Sequence, residues 1–394
     1  MATTFPFTIP SGVESTLDYT SSTDVRDVSD MLDAVYVSDT PLVNRIGYGS
    51  AISNKVHEWI TDSIGYGYLI LSNTGTVASD ASGAVFGTSN IGVVSTAMRQ
   101  VRTGTVLKYN NQSTDRGWYV VEDFTYTGSI VWAGISGTSV SATVTDAATF
   151  FIVGNAVKEG SEPRRDATRP RQICSNKTQI FREDIRMTGT RQAIQMYAVP
   201  DELRKQIMLR TEEYKRQVER TAILGYKHAG DAAETQMMGG IYQFLDGTSG
   251  SNIDTSTTTL TETAINDVAQ AVFDKGGEPN TLLLGPKQAR VIPTLERARV
   301  RVTQDSRMAG FYVTKYMTDL GVEMDILISR WVPKDFTFVL DANKLKLMPL
   351  RGRKFNLQKL GLKGDYVEWQ LVSEITLEFK GYSLGQHGMF TNLS

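Results

Sequence analysis

Three histidines, His57, His228 and His387, and one cysteine, Cys174, are the scarcest of the side chains in this sequence suited to metal binding or nucleophilic chemistry. A zinc site needs such residues converging on one ion, and a Ser-His-Asp relay needs an imidazole between two partners. The histidines lie far apart with no ligand-type spacing around any of them, so each reads as a structural or surface residue. Phosphate and nucleophile motifs are missing too: there is no Walker A sequence, no G-x-S-x-G, and no G-x-G-x-x-G after a strand. The Ser-Gly-rich loop Asp246–Ser251 has no lysine to meet a phosphate and reads as a turn. The adjacent carboxylates Glu183 and Asp184 fall in an extended stretch, where they read as solvated or paired with Arg182 and Arg186. No catalytic residue, cofactor site or metal ligand is assigned. No cofactor is expected, and the chain is expected not to be an enzyme.

The basic segments have two readings. Arg164, Arg165, Arg169 and Arg171 could neutralise nucleic-acid phosphate, or they could form salt bridges against another protein surface. The second reading is favoured. The 41 basic and 43 acidic residues nearly cancel, whereas tight non-specific nucleic-acid binding needs a surplus of Lys and Arg. The same caution applies to Arg297, Arg299, Arg301 and Arg307, which have no adjoining aromatic ladder for base stacking. Arg351-Gly352-Arg353-Lys354 reads as a loop between strands.

With 394 residues the chain is long enough for two or three domains, and 41% hydrophobic with 21% charged residues places it among ordered proteins. A single cysteine allows no intrachain disulfide and fits a reducing cytoplasm. The start, Met1-Ala2-Thr3-Thr4-Phe5-Pro6, is unlike a signal peptide, and no stretch approaches the ~18 apolar residues of a membrane span. The expectation is a soluble chain made in the cytoplasm, with no membrane partner.

The elements follow from periodicity. Residues 1–24 are rich in Ser and Thr and read as an extended arm. Val25, Val28, Leu32 and Val35 recur at helical spacing, predicting a short amphipathic helix over Asp24–Val37 that stops near Thr40-Pro41. From about residue 50 to 196 the composition turns to Gly, Ser, Thr and Val. Strands are predicted at Gly117–Tyr126, Ser129–Ile135, Ser139–Thr145 and Thr149–Val153, with Thr178–Ile194 extended again.

Between Pro200 and Gly225, Leu203, Ile207, Tyr214, Val218 and Ala222 form one apolar stripe, predicting a helix roughly 37 Å long. Asp201/Lys205 and Glu212/Arg216 stand as acid-first i, i+4 pairs on it. Gly239–Thr259 reads as a long loop, and Thr259-x-x-Glu262 as a capping box before a helix that ends at Gly276-Gly277. Thr281–Leu284 reads as a buried strand, and Pro286 opens a helix towards Arg297. Further strands are expected at Val322–Ser329, Phe336–Leu340, Lys344–Leu347 and Tyr366–Phe379.

Three stretches, taken in order, resemble the major capsid proteins of tailed bacteriophages, in the branch with an enlarged extended loop. The first is Asp27-Val28-Ser29-Asp30-Met31-Leu32, then Asp39-Thr40-Pro41-Leu42, then Glu58-Trp59-Ile60-Thr61-Asp62. The second is Asn176–Thr190 leading into the long helix. The third runs from Arg353-Lys354-Phe355-Asn356 through Leu360–Asp365 to Glu374-Ile375-Thr376-Leu377-Glu378.

The resemblance implies an α+β chain of the Hong Kong 97-type fold: an N-terminal arm with short helix over 1–48, and an extended loop over 49–196 carrying an inserted small β-barrel or sandwich at about 95–157. It also implies a peripheral domain over 197–256 and 342–380, with a spine helix at 200–225, and an axial domain over 257–341 and 381–394. The implied function is self-assembly into hexamers and pentamers of an icosahedral head around double-stranded DNA, which the shell contacts only weakly. Portal, scaffold and decoration proteins are implied as further partners. Arg164, Arg165, Arg169, Arg171, Glu183 and Asp184 are the candidate inter-subunit contacts. The alternative is another self-assembling phage part, a tail-tube or decoration protein, for which the long helix would be unusual.

Overall fold

Pro41, expected only to end a preceding helix, opens one of its own: Pro41–Ile46, closed by Gly47 at φ +64°. The computed structural model describes residues 40–62, 67–70, 75–77, 84–85, 101, 103–110, 116–124, 130–134, 142–144, 149–157, 159–160, 171–194, 201–230, 235–246, 252–295, 300–303, 312–361 and 364–394. The expected arm, the helix over 24–37 and Arg164, Arg165 and Arg169 lie outside these residues, as do Arg297, Arg299 and Arg307. The chain is mixed α+β. Its described residues fall into two units, one of Arg182–Lys215 and Asn356–Val372, the other of Asp39–Phe181, Arg216–Phe355 and Ser373–Ser394.

In the smaller unit, Asn356–Lys359 pairs antiparallel with the first half of the strand Tyr366–Phe379, in the register Asn356↔Val372 to Lys359↔Trp369. The strand Gln179–Thr188, which belongs to this unit from Arg182 on, alternates as a half-buried strand should, with Ile185 and Met187 inward. The helix Glu202–Leu224 matches the predicted 200–225 and gives its first part, to Lys215, to this unit. Two of its expected pairings settle differently. The Asp201 carboxylate accepts the backbone N–H of Arg204 as a cap, and Glu212 takes Lys215 at 2.8 Å, three residues on.

In the larger unit, seven strands form one mixed sheet in the order Asn252–Asp254, Gly388–Phe390, Thr337–Leu340, Thr281–Leu284, Glu323–Ile328, Tyr312–Met317, Val300–Thr303. Thr281–Leu284 is buried throughout because it has neighbours on both sides, parallel to Glu323–Ile328 and antiparallel to Thr337–Leu340. That position explains its unbroken apolar run. The helix Glu262–Asp274 supplies Ala264, Ile265 and Val268 to a core shared with Leu282, Leu284, Tyr316, Met324 and Phe390. Its cap is Thr261, whose hydroxyl accepts the N–H of Ala264, and not the expected Thr259. The helix expected from Pro286 to Arg297 stops at Ala289 and gives way to a 3-10 turn, Ile292–Thr294, at Pro293. A helix, Ile241–Asp246, and the strand Asn252–Asp254 occupy what read as a long loop.

A six-stranded sheet of Tyr68–Ile70, Thr149–Asn155, Thr105–Asn110, Arg116–Phe124, Ile130–Gly134 and Ala84–Val85 is antiparallel at every pairing. Leu107, Tyr119, Val121 and Phe150 are among its buried residues, with Tyr119 edge-on to Phe150 at 6.1 Å. Gly75–Val77 and Ala142–Val144 pair separately.

Candidate assembly surface

No group of three or more His, Cys, Asp and Glu among the described residues could hold a metal ion. Two of the histidines, His387 and His57, serve the frame. His387 is fully buried: Nδ1 accepts the backbone N–H of Asp341 at 3.2 Å and Nε2 donates to the Lys380 carbonyl at 2.8 Å. Burial pushes its pKa down to about 4, so it is a neutral structural imidazole. His57 meets the Glu378 carboxylate at 2.5 Å, and Lys380 takes the other oxygen at 2.9 Å. The His57 hydrogen bond, with Lys380 in support, holds Glu378 down at about 2.

His57 belongs to a two-stranded antiparallel ribbon, Val56–Thr61 with Gln172–Lys177, running from Val56↔Lys177 to Thr61↔Gln172. One face of the ribbon is anchored in the larger unit. Trp59 and Cys174, opposite each other, are 5% and 4% exposed, and Trp59 packs edge-on against Phe244 and Tyr382. Asn176 is fully buried with every amide valence used: it donates to the carbonyls of Gly239 and Leu377 and accepts the N–H groups of Gly239 and Lys177. Thr178 donates to Glu374 at 2.7 Å just beyond the ribbon.

The other face is bare. Ile60 and Ile173, directly opposite, are 60% and 66% exposed, and Glu58 on the same face is exposed. Arg171 stands exposed at the end of the ribbon, the one predicted basic contact among the described residues. Glu183 and Asp184 belong to the smaller unit. Asp184 pairs with Arg182 at 3.3 Å and accepts from Gln370 at 3.0 Å. Arg186, expected to join them, turns instead to Glu368 at 2.7 Å and over the Tyr366 ring. The exposed isoleucine pair escaped the sequence reading, because the register that juxtaposes residues 60 and 173 is a long-range property.

The chain is thus mixed α+β, with two exposed isoleucines facing each other across one side of its ribbon. The sequence model described as SU10 major capsid protein matches residues 10–394, and the chain belongs to that family of phage-head subunits. The major capsid protein of Escherichia phage Phieco32 is 23% identical over 287 residues, 60% of this chain and 81% of that one. Among solved structures, a chain of Microbacterium phage Oxtober96 aligns with a TM-score of 0.47 at 10% identity, over 93% of this chain and 95% of that chain. The capsid of Myoviridae phage XM1 aligns with a TM-score of 0.45 at 9% identity, over 93% and 97%.

Proposed function

We propose that this chain assembles into hexamers and pentamers that close as an icosahedral shell around double-stranded DNA, with no catalytic step of its own. The observation that carries the reading is membership of the capsid family over residues 10–394, nearly the whole chain. Assembly rests on many modest contacts per subunit, closed by symmetry. The net charge of -2 suits a wall that contacts packaged DNA weakly. The helix Glu202–Leu224 acts as the spine of a peripheral domain, and the sheet built on Thr281–Leu284 belongs to the axial domain. The strands of the six-stranded sheet that fall at about 95–157 are an insertion on the extended loop, and Tyr68–Ile70 and Ala84–Val85 pair onto them from outside it. The basic segment ending at Arg171, with Glu183 and Asp184, contributes inter-subunit contacts, and portal, scaffold and decoration proteins are further partners. The chain is made in the host cytoplasm and resides in the virion.

Expression of the chain alone, followed by size-exclusion chromatography and negative-stain electron microscopy, tests this. Capsomers or closed shells are expected. Open tubes without closed particles would favour a tail component instead.

A further inference from the structure

The bare face of the ribbon is sorted by charge. Alternation along Val56–Thr61 puts Glu58 and Ile60 outward, and its continuation reaches exposed Asp62; the partner strand presents Lys177, Ser175 and Ile173 and continues back to Arg171. One strand is therefore acidic, the other basic, with an apolar pair between them. Among the described residues no ion pair joins Glu58, Asp62, Arg171 or Lys177 to another group. A further cation stands on the basic strand: Lys227 donates to the backbone oxygen of Ser175 at 2.5 Å and to its hydroxyl at 3.1 Å. Burial, and then the neighbouring Lys177, lowers the affinity of Lys227 for its proton. Directly opposed β-branched residues left open to water are unusual on a ribbon whose other face is already anchored.

From this we infer that the outward face of the ribbon docks on the same face of a second copy of the chain, about a two-fold axis running along the strands. Of the two in-plane axes, one across the strands would lay acid on acid. The axis along them lays each acidic strand over the partner's basic strand. Asp62 then meets Arg171, Ile60 meets Ile173, and Glu58 comes beside Lys177 and Lys227. The patch is self-complementary, as an isologous contact requires, with a dry centre and a charged rim. This rests on the shell reading and gives it a specific contact.

The test uses two full-length variants, one with Glu58→Lys and Asp62→Lys, the other with Arg171→Glu and Lys177→Glu. Each makes the patch single-signed. Each alone is expected to yield about tenfold fewer particles than wild type by electron microscopy and light scattering, with unchanged circular dichroism, because like charges then oppose across the contact. A one-to-one mixture is expected to recover assembly, which no misfolded or merely destabilised chain would do. Normal shells from either variant alone, or two folded variants that fail to assemble when mixed, would overturn the inference and leave the face to a different partner. If wild type instead forms open tubes and no closed particles, the shell reading fails first and this contact goes with it.

Discussion

Glu219 accepts the backbone N–H of Val43 at 2.8 Å across 176 residues of chain. Its other carboxylate oxygen accepts the N–H of Leu42 at 3.0 Å and the hydroxyl of Ser329 at 3.2 Å, and the side chain is fully buried. Thr40 makes no side-chain cap, and Pro41 has no N–H to satisfy. The first free donors of the helix Pro41–Ile46 are thus capped by a carboxylate from the helix Glu202–Leu224, which also sets negative charge at a helix N-terminus. One side chain ties together the point where the N-terminal segment enters, the long helix and the end of a sheet strand.

Replacing Glu219 by Ala strands two buried N–H groups and should cost about 2–4 kcal/mol. The helix it releases carries Arg45, now tied to Asp325 at 2.8 Å, so trypsin should cut after Arg45 faster than in wild type. Adding Thr40→Asp restores a local cap without the tie to the long helix. Stability should partly return in that double variant while the faster cut persists. An unchanged thermal midpoint and cleavage rate for Glu219→Ala would remove the clamp from the account.

What the sequence showed and what it hid follow from how local each determinant is. The long helix was legible because Leu203 to Ala222 recur on one stripe between Pro200 and Gly225, and Thr281–Leu284 because a central strand needs no alternation. The helix Ile241–Asp246 was not. Six residues between glycines have little helix propensity, and burial of Ile241, Phe244 and Leu245 holds it instead. Thr259 and Thr261 both suit a cap, and only backbone geometry chose Thr261. Glu219 carried no signal, since one glutamate in a charged helix looks solvated. Ile60 and Ile173 become neighbours only once the ribbon pairs.

His387 gives a pH dependence with a definite sign. Its folded pKa of about 4 lies below the ordinary 6.5, because burial disfavours the charged form. Between pH 6.5 and pH 4 the unfolded chain binds a proton that the folded chain refuses, so stability falls as pH drops through that window, by up to about 3 kcal/mol. Asp341 favours the proton and Lys344 opposes it, both more weakly than burial. Thermal midpoints at pH 7 and pH 4.5 should differ more in wild type than in His387→Asn. Equal differences in the two proteins would contradict this.

Gly225 ends the long helix for a reason other than a left-handed backbone. A Cβ there would lie 2.5 Å from the Thr221 carbonyl oxygen and 2.6 Å from that of Met238, and one on Gly240 would lie 2.4 Å from the Gly225 nitrogen. The two glycines let their chains touch, with the Gly240 N–H donating to the Gly225 carbonyl at 2.9 Å. Gly225→Ala and Gly240→Ala should each destabilise by about 1–3 kcal/mol through overpacking. The double variant should cost less than their sum, since both disturb one contact. Full additivity in chemical denaturation would mean that the two sites act independently.

Asn176 separates hydrogen bonding from shape most sharply. Its amide nitrogen donates to Leu377 at 2.7 Å and to Gly239 at 3.1 Å, while its oxygen accepts Gly239 at 2.9 Å and Lys177 at 2.8 Å. Asn176→Asp keeps the size and both acceptor bonds but turns a donor into a second acceptor facing two carbonyl oxygens. A buried charge with no compensating partner should cost about 3–5 kcal/mol near neutral pH. Because the protonated acid regains one donor, the penalty should shrink as pH falls, opposite to the effect of His387. Asn176→Ala should instead carry a penalty that does not vary with pH. Chemical denaturation of both variants between pH 5 and 8 separates the cases: a constant Asp penalty across that range would mean that the ribbon's inner face had moved to let water reach residue 176.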